Sequence, residues 1–418
     1  MMNDVIVALA TAPMESAIAV IRVSGEECFE LLKKIFSRNI KIEGHKAYFG
    51  NIVNGEEIID EVSVSTFIAP RSFTGENSFE INCHGGMFIV NKIIETCIKN
   101  GARMANRGEF SKRAYLNGKI DLIQAEAIND MIRATSDEES KLAVMSLKGS
   151  TSNMIANVKE KMLQILSNIE VNIDYPEYDD AEVVTKEVAK VKLLELRKDI
   201  KEIIKGARIG KIIKDGIKVA IVGKPNVGKS SLLNALLEEE KAIVTNIAGT
   251  TRDIVEGQVN IDGLKLNLLD TAGIRNSDDS VEKIGIEKSI KTIEEADLVL
   301  LVLDAARGID EEDVKLMDLV KNKNTITVVN KIELNEGCLL EGIKISAKKG
   351  NIENLKNEIK SKVGYSYNYE NKPLLTNARQ IGLMESSLKN IESGLKEIEK
   401  GTPVDLVSID LSKALLDI

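Results

Sequence analysis

One glycine-rich run constrains the fold of this chain more than any other feature. Residues 223–231 read Gly-Lys-Pro-Asn-Val-Gly-Lys-Ser-Ser, between the apolar run 219–222 and the helix-forming run 232–236. Strand, glycine loop and helix in that order are the context that a phosphate-binding P-loop requires. The loop points backbone N–H groups at phosphate, the helix dipole assists them, and Lys229 adds a point charge. We predict a nucleotide site with Ser230 on Mg²⁺, against the alternative of a strand–turn–helix that is glycine-rich by chance.

Length and composition limit the class of protein. With 418 residues, the chain is too long for one ordinary core and predicts about two to four domains. A net charge of −9 argues against a protein that coats nucleic acid. Four cysteines without metal or disulfide spacing suit a reducing cytosol, and two histidines leave little room for histidine chemistry. We find no signal-peptide start and no apolar run near ~20 residues, so we expect a cytoplasmic protein without a membrane span.

Sequence patterning divides the chain into four segments. Residues 1–118 mix strand and helix signals and predict an α/β domain, whereas 119–210 are helical. Residues 211–368 predict the nucleotide domain, inserted before a second helical segment, 369–418. The basic, glycine-punctuated stretch 206–216 indicates a linker into the nucleotide domain. The last segment stops without a cap or a polar end, which predicts a chain truncated within a helix.

Two apolar stripes identify the helical segments, because their members recur at the spacing of one helix face. The first stripe comprises Val158, Met162, Ile165 and Ile169. The second comprises Ile381, Met384, Leu388, Ile391, Leu395 and Ile398. We therefore predict amphipathic helices on both sides of the nucleotide domain.

Four more polar motifs follow the P-loop, each beside a predicted strand. A switch-like run (243–253) is placed to supply a threonine to Mg²⁺, and Asp-Thr-Ala-Gly (270–273) follows the strand 264–269. Asn-Lys-Ile-Glu (330–333) and Ser-Ala-Lys (346–348) follow two later apolar runs. In this order the motifs resemble those of a Ras-like GTPase, which implies a doubly wound, mostly parallel sheet. The predicted GTP-binding residues are Asn226, Val227, Gly228, Lys229, Ser230, Ser231, Thr245, Asn246, Ile247, Ala248, Gly249, Thr250, Thr251, Asp270, Thr271, Ala272, Gly273, Asn330, Lys331, Glu333, Ser346, Ala347 and Lys348.

The motif that reads the base departs from the Ras-like pattern at its last position. That motif usually ends in Asp, and here it ends in Glu333. A carboxylate accepts hydrogen bonds from guanine N1–H and its amino group, whereas adenine presents an acceptor at N1. Glu keeps this logic but is one methylene longer. We hypothesise guanine preference with weakened affinity.

A second departure concerns the group that assists hydrolysis. Ile274 stands where Ras-type enzymes carry a water-orienting Gln, and no arginine finger is evident. We hypothesise that Asn226 and the polar switch hold a monovalent cation against the phosphates, where its charge replaces an arginine finger. Glu282 is placed to orient water, and the alternative of an exposed acid at a helix start stays open. The predicted catalytic residues are Glu282, Lys229 and Asn226.

The N-terminal segment places polar side chains near predicted strand ends. Arg22, Glu80 and His84 are candidate ligand contacts, but the residues alone favour surface ion pairs. Cys83 precedes His84, which suggests a thiolate–imidazolium nucleophile. We reject that hypothesis because adjacent strand residues point to opposite faces of the sheet.

Several further motifs give the chain a resemblance to a known family. They are residues 19–25 (Ala-Val-Ile-Arg-Val-Ser-Gly), 72–76 (Ser-Phe-Thr-Gly-Glu), 80–86 (Glu-Ile-Asn-Cys-His-Gly-Gly), 106–114 and 116–122. With a GTPase inserted into a helical region, they make the chain resemble the MnmE (TrmE) family of tRNA-modification GTPases. The resemblance covers nearly the whole sequence. It replaces the surface-pair interpretation of the N-terminal polar residues with a binding role.

The resemblance implies cofactors and site residues. Family members form a homodimer through the N-terminal domain, which binds a tetrahydrofolate derivative (5-formyl or methylene form). It implies folate contacts from Arg22, Glu80 and Lys119. It also implies Mg²⁺ on Ser230 and Thr251, with Glu282 orienting water. The potassium ligands that it implies are Asn226, Thr245, Ile247 and Thr250.

The resemblance also implies partners and a reaction. Family members form a heterotetramer with the flavoprotein MnmG/GidA and install a carboxymethylaminomethyl-type group on C5 of the wobble uridine of certain tRNAs. The family's Cys-x-Gly-Lys tail is not in this sequence. We therefore expect GTP hydrolysis and leave competence for modification open. A ribosome-assembly GTPase that acts as an RNA-binding switch, and a folate enzyme with a regulatory nucleotide domain, remain as alternatives.

Overall fold

The structure, a computed structural model, describes residues 4–174, 186–238, 255–269, 292–363 and 372–418. The chain divides into two compact units, Met1–Asn129 and Asp130–Ile418. Within the described ranges, no helix has the length and apolar character needed to cross a bilayer.

The first unit is a mixed α/β domain around one six-stranded sheet. Its strands run in the order β3-β4-β5-β2-β1-β6, and only β1 and β6 pair in parallel. Alternate residues of β2 and β5 are buried under α1 and α2, as a sheet with one covered face requires. The elements are β1 (Ile6–Leu9), β2 (Ser16–Ser24), α1 (Cys28–Ile35), β3 (Lys46–Asn54), β4 (Glu57–Phe67), β5 (Ser78–Gly85), α2 (Met87–Lys99), β6 (Arg103–Met104) and α3 (Glu109–Leu116).

Both predicted apolar stripes lie in one helical core. Val158, Met162, Ile165 and Ile169 are buried, as are Met384, Ile391, Leu395 and Ile398, while Ile381 and Leu388 pack against them. The predicted amphipathic helices are therefore confirmed. The helices are α4 (Leu122–Arg133), α5 (Asp137–Leu147), α6 (Ser150–Asp174), α7 (Lys186–Asp215), α11 (Ala378–Glu399) and α12 (Val404–Asp417).

The linker predicted at 206–216 is wrong, because α7 continues without a break to Asp215. Its glycines serve close packing instead of chain flexibility. A Cβ on Gly210 would lie 2.5 Å from the carbonyl oxygen of Leu375, and one on Gly206 would lie 3.0 Å from Leu374. The strand that carries the P-loop therefore begins directly after a long helix of the helical core.

The nucleotide domain has the predicted doubly wound sheet. The strand order is β12-β11-β10-β7-β9-β8, and all neighbours are parallel except β8 and β9. Alternate residues of β7 and β10 enter separate cores on the two faces, which explains their continuous apolar runs. The strands are β7 (Ile217–Val222), β8 (Val255–Ile261), β9 (Leu264–Leu269), β10 (Leu298–Asp304), β11 (Thr325–Asn330) and β12 (Ile343–Lys344). The helices are α8 (Lys229–Glu238), α9 (Glu311–Val320) and α10 (Glu353–Lys362), with 3-10 turns at Ile332–Leu334 and Ala347–Lys349.

The register of the parallel strands brings the P-loop, the segment after β10 and the segment after β11 to one edge of this sheet. Val222 of β7 pairs with Leu301 of β10, and Asp304 of β10 pairs with Asn330 of β11. The carboxyl ends of these strands therefore meet beside the P-loop. Ligands of doubly wound sheets bind at this edge.

Candidate functional site

The P-loop enters α8 through a glycine that no other residue can replace. Gly228 has a φ of +98°, and a Cβ there would lie 2.2 Å from the side-chain nitrogen of Asn330. Leu232 N–H donates to the Gly228 carbonyl oxygen at 2.9 Å. The backbone N–H groups that precede Leu232 lack intrahelical acceptors and are placed for phosphate oxygens.

Lys229 lies across the loop and is partly buried. Its Nζ donates to the carbonyl oxygens of Gly223 and Lys224, both at 2.6 Å. Burial lowers the Lys229 pKa. A phosphate group in the loop would oppose this effect, since a nearby negative charge favours the ammonium form. The Lys229 ammonium is therefore positioned to leave two neutral carbonyl oxygens and bind the charged oxygens of a phosphate.

The Asn330 amide, in the base-reading motif, joins the P-loop to the Ser-Ala-Lys segment (346–348). Its Nδ2 donates to the Val227 carbonyl oxygen at 3.0 Å, and its Oδ1 accepts from the Ala347 N–H at 3.0 Å. Asn330 is only 2% exposed, so both bonds are shielded from water. One side chain thus fixes the distance between two predicted nucleotide-binding segments.

Lys331 holds the P-loop from the other side. Its Nζ donates to the Asn226 carbonyl oxygen at 2.6 Å and to Asp304 Oδ2 at 2.7 Å. Burial disfavours the charged form of Asp304, but hydrogen bonds from Lys331 and the Ala306 N–H outweigh it and lower the Asp304 pKa. Asn226 itself is left-handed, with a φ of +64°, and it is exposed. Its backbone is therefore held while its side chain faces the solvent.

Glu333 and Ser346 contribute polar atoms that lack partners. Glu333 Oε2 and Ser346 Oγ are buried without a hydrogen bond to any described residue. The Ser346 hydroxyl near the carboxylate lowers the Glu333 pKa. The charges of Lys349 and Lys348 add to this effect. The carboxylate is therefore ionised, with one oxygen available to a ligand. Such unpaired buried atoms are costly unless a ligand completes them.

Several predicted site residues lie outside the described residues. The described ones include Ser230, which is exposed at the start of α8. Among the described residues no three His, Cys, Asp or Glu side chains converge as a metal cluster. The predicted residues outside the described ranges are Thr245, Asn246, Ile247, Ala248, Gly249, Thr250, Thr251, Asp270, Thr271, Ala272, Gly273 and Glu282.

Two of the predicted folate residues form an ion pair in the N-terminal unit. Arg22 on β2 and Glu80 on β5 are cross-strand neighbours, and Arg22 Nε lies 2.8 Å from Glu80 Oε1. The Arg22 guanidinium also lies 5.0 Å from the ring centre of Phe73 and 5.8 Å from that of Phe110. The pair is half-buried and flanked by aromatic rings, an arrangement that favours cation–π contact.

The third predicted folate residue flanks the same loop. A Cβ on Gly75, which has a φ of +81°, would lie 3.0 Å from Lys119 Cγ. The Lys119 N–H donates to the Ala114 carbonyl oxygen at 2.8 Å. The loop 72–76 thus approaches Arg22 through Phe73 and Lys119 through Gly75.

A buried arginine fixes that loop, and the sequence analysis did not identify it. Arg113 is 2% exposed and contacts Asp4 at 2.7 Å, Glu76 at 3.2 Å and Glu109 at 3.2 Å. Hydrogen bonds from Arg103, supported by Arg113, lower the Glu109 pKa to about 2 despite burial. The only signal in the sequence was that Glu76 and Arg113 fall within the motifs 72–76 and 106–114.

The rejection of a Cys83–His84 nucleophile is confirmed. Cys83 is buried and His84 is exposed, on opposite faces of β5. Burial raises the Cys83 pKa to about 11, with a further contribution from the Asp60 charge. His84 Nδ1 lies 2.7 Å from Asp60 Oδ1 instead.

Replacement of Gly228 tests the geometry of the P-loop. We expect Gly228→Ala to lower GDP affinity by roughly 100-fold, because its Cβ displaces Asn330 and strains the backbone by about 1–3 kcal/mol. Gly101→Ala is the matched control, since Gly101 has a φ of +109° with open space around its Cβ position. It should lose stability and keep its GDP affinity. Equal affinity in both variants, measured by calorimetry, would contradict the packing of Asn330 on the loop.

The chain matches two family models and is similar to known proteins over nearly its whole length. A model of the GTP-binding protein TrmE N-terminus matches residues 5–119, and a model of the MnmE helical domain matches residues 122–418. The tRNA modification GTPase MnmE of Ligilactobacillus salivarius is 43% identical over 427 residues, which cover 98% of this chain and 92% of that protein. The protein of the same name from Streptococcus thermophilus is 46% identical over 420 residues, with the same coverage.

One solved structure resembles part of the chain. A structure of Era from Aquifex aeolicus is 30% identical and covers 42% of this chain and 66% of that chain, with a TM-score of 0.28. This TM-score is too low to support a fold assignment. The assignment rests on the observed strand order. The family models span residues 5–119 and 122–418, and the relatives at 43% and 46% identity cover nearly all of the sequence. The chain therefore belongs to the MnmE (TrmE) family of tRNA modification GTPases.

Proposed function

We propose that this protein is a potassium-activated GTP hydrolase that takes part in tRNA modification. With a flavoprotein partner (MnmG/GidA) and a tetrahydrofolate one-carbon donor, it installs a carboxymethylaminomethyl-type group on C5 of the wobble uridine. The observation that carries the hydrolase assignment is the convergence of P-loop, Asn330 and Glu333 at one sheet edge. The curated relatives bear the name tRNA modification GTPase, and we extend that role to this chain.

The nucleotide site has the groups that GTP requires. Lys229 and the N–H groups at the start of α8 would bind the phosphates, and the unpartnered Glu333 oxygen would accept from the base. Ser230 is exposed at the helix start and would hold Mg²⁺, with Thr251 as its predicted partner. Bound magnesium neutralises charge on the terminal phosphates.

Potassium activation depends on Asn226 in this proposal. Lys331 fixes the Asn226 backbone through its carbonyl oxygen, while the exposed amide remains available to a cation. Amide oxygens are hard ligands of the kind that alkali ions accept. Bound potassium would supply positive charge where negative charge develops. Thr245, Ile247 and Thr250 are the other predicted ligands, and Glu282 would orient water.

Folate binding depends on the Arg22–Glu80 pair, with Lys119 on the other side of the loop 72–76. The pair lies between the rings of Phe73 and Phe110, which present flat apolar surface beside charged groups. Such a combination suits a planar, polar heterocycle. We include a tetrahydrofolate derivative on this ground and on the family resemblance.

The surface that we propose for the homodimer is the uncovered face of the sheet in the N-terminal unit. The uncovered face of its sheet has exposed apolar side chains, with Phe49 at 56% and Ile18 at 62% exposure. The registers β3–β4, β4–β5 and β2–β5 connect Phe49 laterally to Val20, which shares its face with Ile18. Exposed apolar side chains on an uncovered sheet face favour association.

The cation dependence of hydrolysis tests the proposed activity. We expect the GTPase rate to rise at least about tenfold when K⁺ replaces Na⁺ at equal ionic strength. Asn226→Ala should reduce the rate in K⁺ to the rate of the wild type in Na⁺, because it removes an amide that would hold the ion. Initial phosphate release against salt measures this effect. Equal wild-type rates in both salts would remove potassium activation from the proposal.

The length of the Glu333 side chain can be changed to test the proposed recognition of the base. We expect Glu333→Asp to bind GDP severalfold more tightly than the wild type, because it restores the usual reach of the carboxylate. Glu333→Gln should lose the preference for GDP over ADP, since an amide presents both donors and acceptors. Affinities for both nucleotides are measured by fluorescence titration. If the Asp variant binds GDP no better than the wild type, this result would contradict the hypothesis that the longer side chain weakens binding.

The folate assignment can be tested without the nucleotide site. We expect Arg22→Ala in the full chain to weaken 5-formyltetrahydrofolate binding by about tenfold or more, because a half-buried charge partner is lost. Lys33→Ala is the control, since Lys33 forms an exposed pair with Glu30 at 2.7 Å in the same unit. GTP hydrolysis should be unchanged in both variants. Undiminished folate affinity in Arg22→Ala would exclude this pair as the binding site.

A further inference from the structure

The second residue of the P-loop has an anchored side chain that no motif explains. The Lys224 ammonium lies 2.5 Å from Asp310 Oδ2 and 2.8 Å from Asp313 Oδ2. The Lys224 side chain is 12% exposed and that of Asp313 is 6% exposed, whereas that of Asp310 is 59% exposed. A lysine with two carboxylate partners and little exposure differs from the usual solvent-exposed pair, which holds its geometry weakly.

Both carboxylates are themselves held in place by the start of α9. Asp310 is the N-cap residue, and its Oδ1 accepts from the N–H groups of Glu312 at 3.1 Å and Asp313 at 3.2 Å. Asp313 Oδ2 accepts in return from the Asp310 N–H at 3.3 Å. This reciprocal capping box fixes the two acceptors before Lys224 reaches them. The ammonium therefore binds to a rigid point of the fold.

The first half of the P-loop has anchors on both sides. The Lys224 side chain ties its beginning to α9, and Lys331 holds the carbonyl oxygen of Asn226, two residues later. Lys331 is in turn bound to Asp304, the last residue of β10, whereas the carboxylates that bind Lys224 lie at the start of α9, the helix that follows this strand. The second half of the loop is held by Asn330 on Val227 and by α8, and its link to the Lys224 carbonyl oxygen through Lys229 Nζ is one that a bound phosphate would replace.

The left-handed backbone of Asn226 needs such support. A φ of +64° is uncommon for a residue other than glycine and persists where the surroundings hold it. Residues 224–226 are short enough that movement of Lys224 would change the direction of the Asn226 amide. The N–H groups at residues 228–231 belong to the start of α8 and would keep their positions.

We propose that Lys224 is a positioning residue for the potassium site, which holds residues 224–226 through Asp310 and Asp313 so that the Asn226 amide faces the ion. This inference rests on the proposed potassium activation. In this inference, Lys224 affects how hydrolysis responds to potassium and does not affect nucleotide affinity. A merely structural ion pair would alter folding stability without changing the response to potassium.

The test measures GTP hydrolysis against K⁺ concentration, with GDP affinity as a separate readout. We expect Lys224→Met to raise the half-activating K⁺ concentration by about tenfold while GDP affinity stays within about threefold. Lys224→Arg should restore the wild-type response, because a guanidinium reaches the same two carboxylates. The matched control is Lys360→Met, which removes an ion pair with Asp262 at 2.6 Å elsewhere in the nucleotide domain.

The partners of Lys224 complete the test. Asp310→Ser keeps a residue that caps helices well and removes the charge. Combined with Asp313→Asn, it should reproduce the Lys224→Met response. The same two changes should add nothing in the Lys224→Met background, because interacting residues are non-additive.

The possible outcomes separate this inference from the proposed function. If the wild type responds to K⁺ and Lys224→Met responds identically, the positioning role is overturned. A parallel fall in GDP affinity would also overturn it, since Lys224 would then support the whole loop. If the wild type does not respond to K⁺, the proposed potassium activation fails, and the positioning role fails with it.

Discussion

The Asn330 amide is the contact on which the nucleotide site depends. It binds one carbonyl of the P-loop and one N–H of the Ser-Ala-Lys segment (346–348), and its buried position excludes water from both bonds. Gly228 allows this contact because a side chain there would occupy the space of the amide nitrogen. Phosphate recognition and base recognition are thereby set at a fixed separation by the ends of neighbouring parallel strands.

Lysines supply a second set of constraints around the same loop. Lys331 binds the Asp304 carboxylate at the end of β10 and also the loop backbone, while Lys224 binds a carboxylate at the start of α9. Lys229 differs from both, because its ammonium contacts only carbonyl oxygens and burial lowers its pKa. The lysines that hold the fold are thus paired with acids, whereas the lysine predicted to bind phosphate has no acidic partner among the described residues.

Pattern and motif predicted much of the fold and part of the site. The stripes at Val158–Ile169 and Ile381–Ile398 are buried because helical periodicity reports directly which face is apolar. The prediction of a linker at 206–216 was wrong. Glycine indicates a break in a helix only when nothing packs against it, and here Leu374 and Leu375 pack against the glycines. The Arg22–Glu80 contact follows from strand register, which a single sequence does not reveal. Arg113 was missed because its partner Asp4 lies 109 residues away.

By itself, the sequence determined the order of the motifs, the elements that carry them and the family to which they belong. These are local properties, since periodicity, glycine placement and motif spacing act over a few residues. The tertiary structure alone decided which side chains meet. The contact of Asn330 with Val227 joins residues 103 positions apart, and Lys224 meets Asp310 across 86 positions. Such contacts arise only when parallel strands align their ends, because the order of residues along the chain does not specify how distant segments are placed in space.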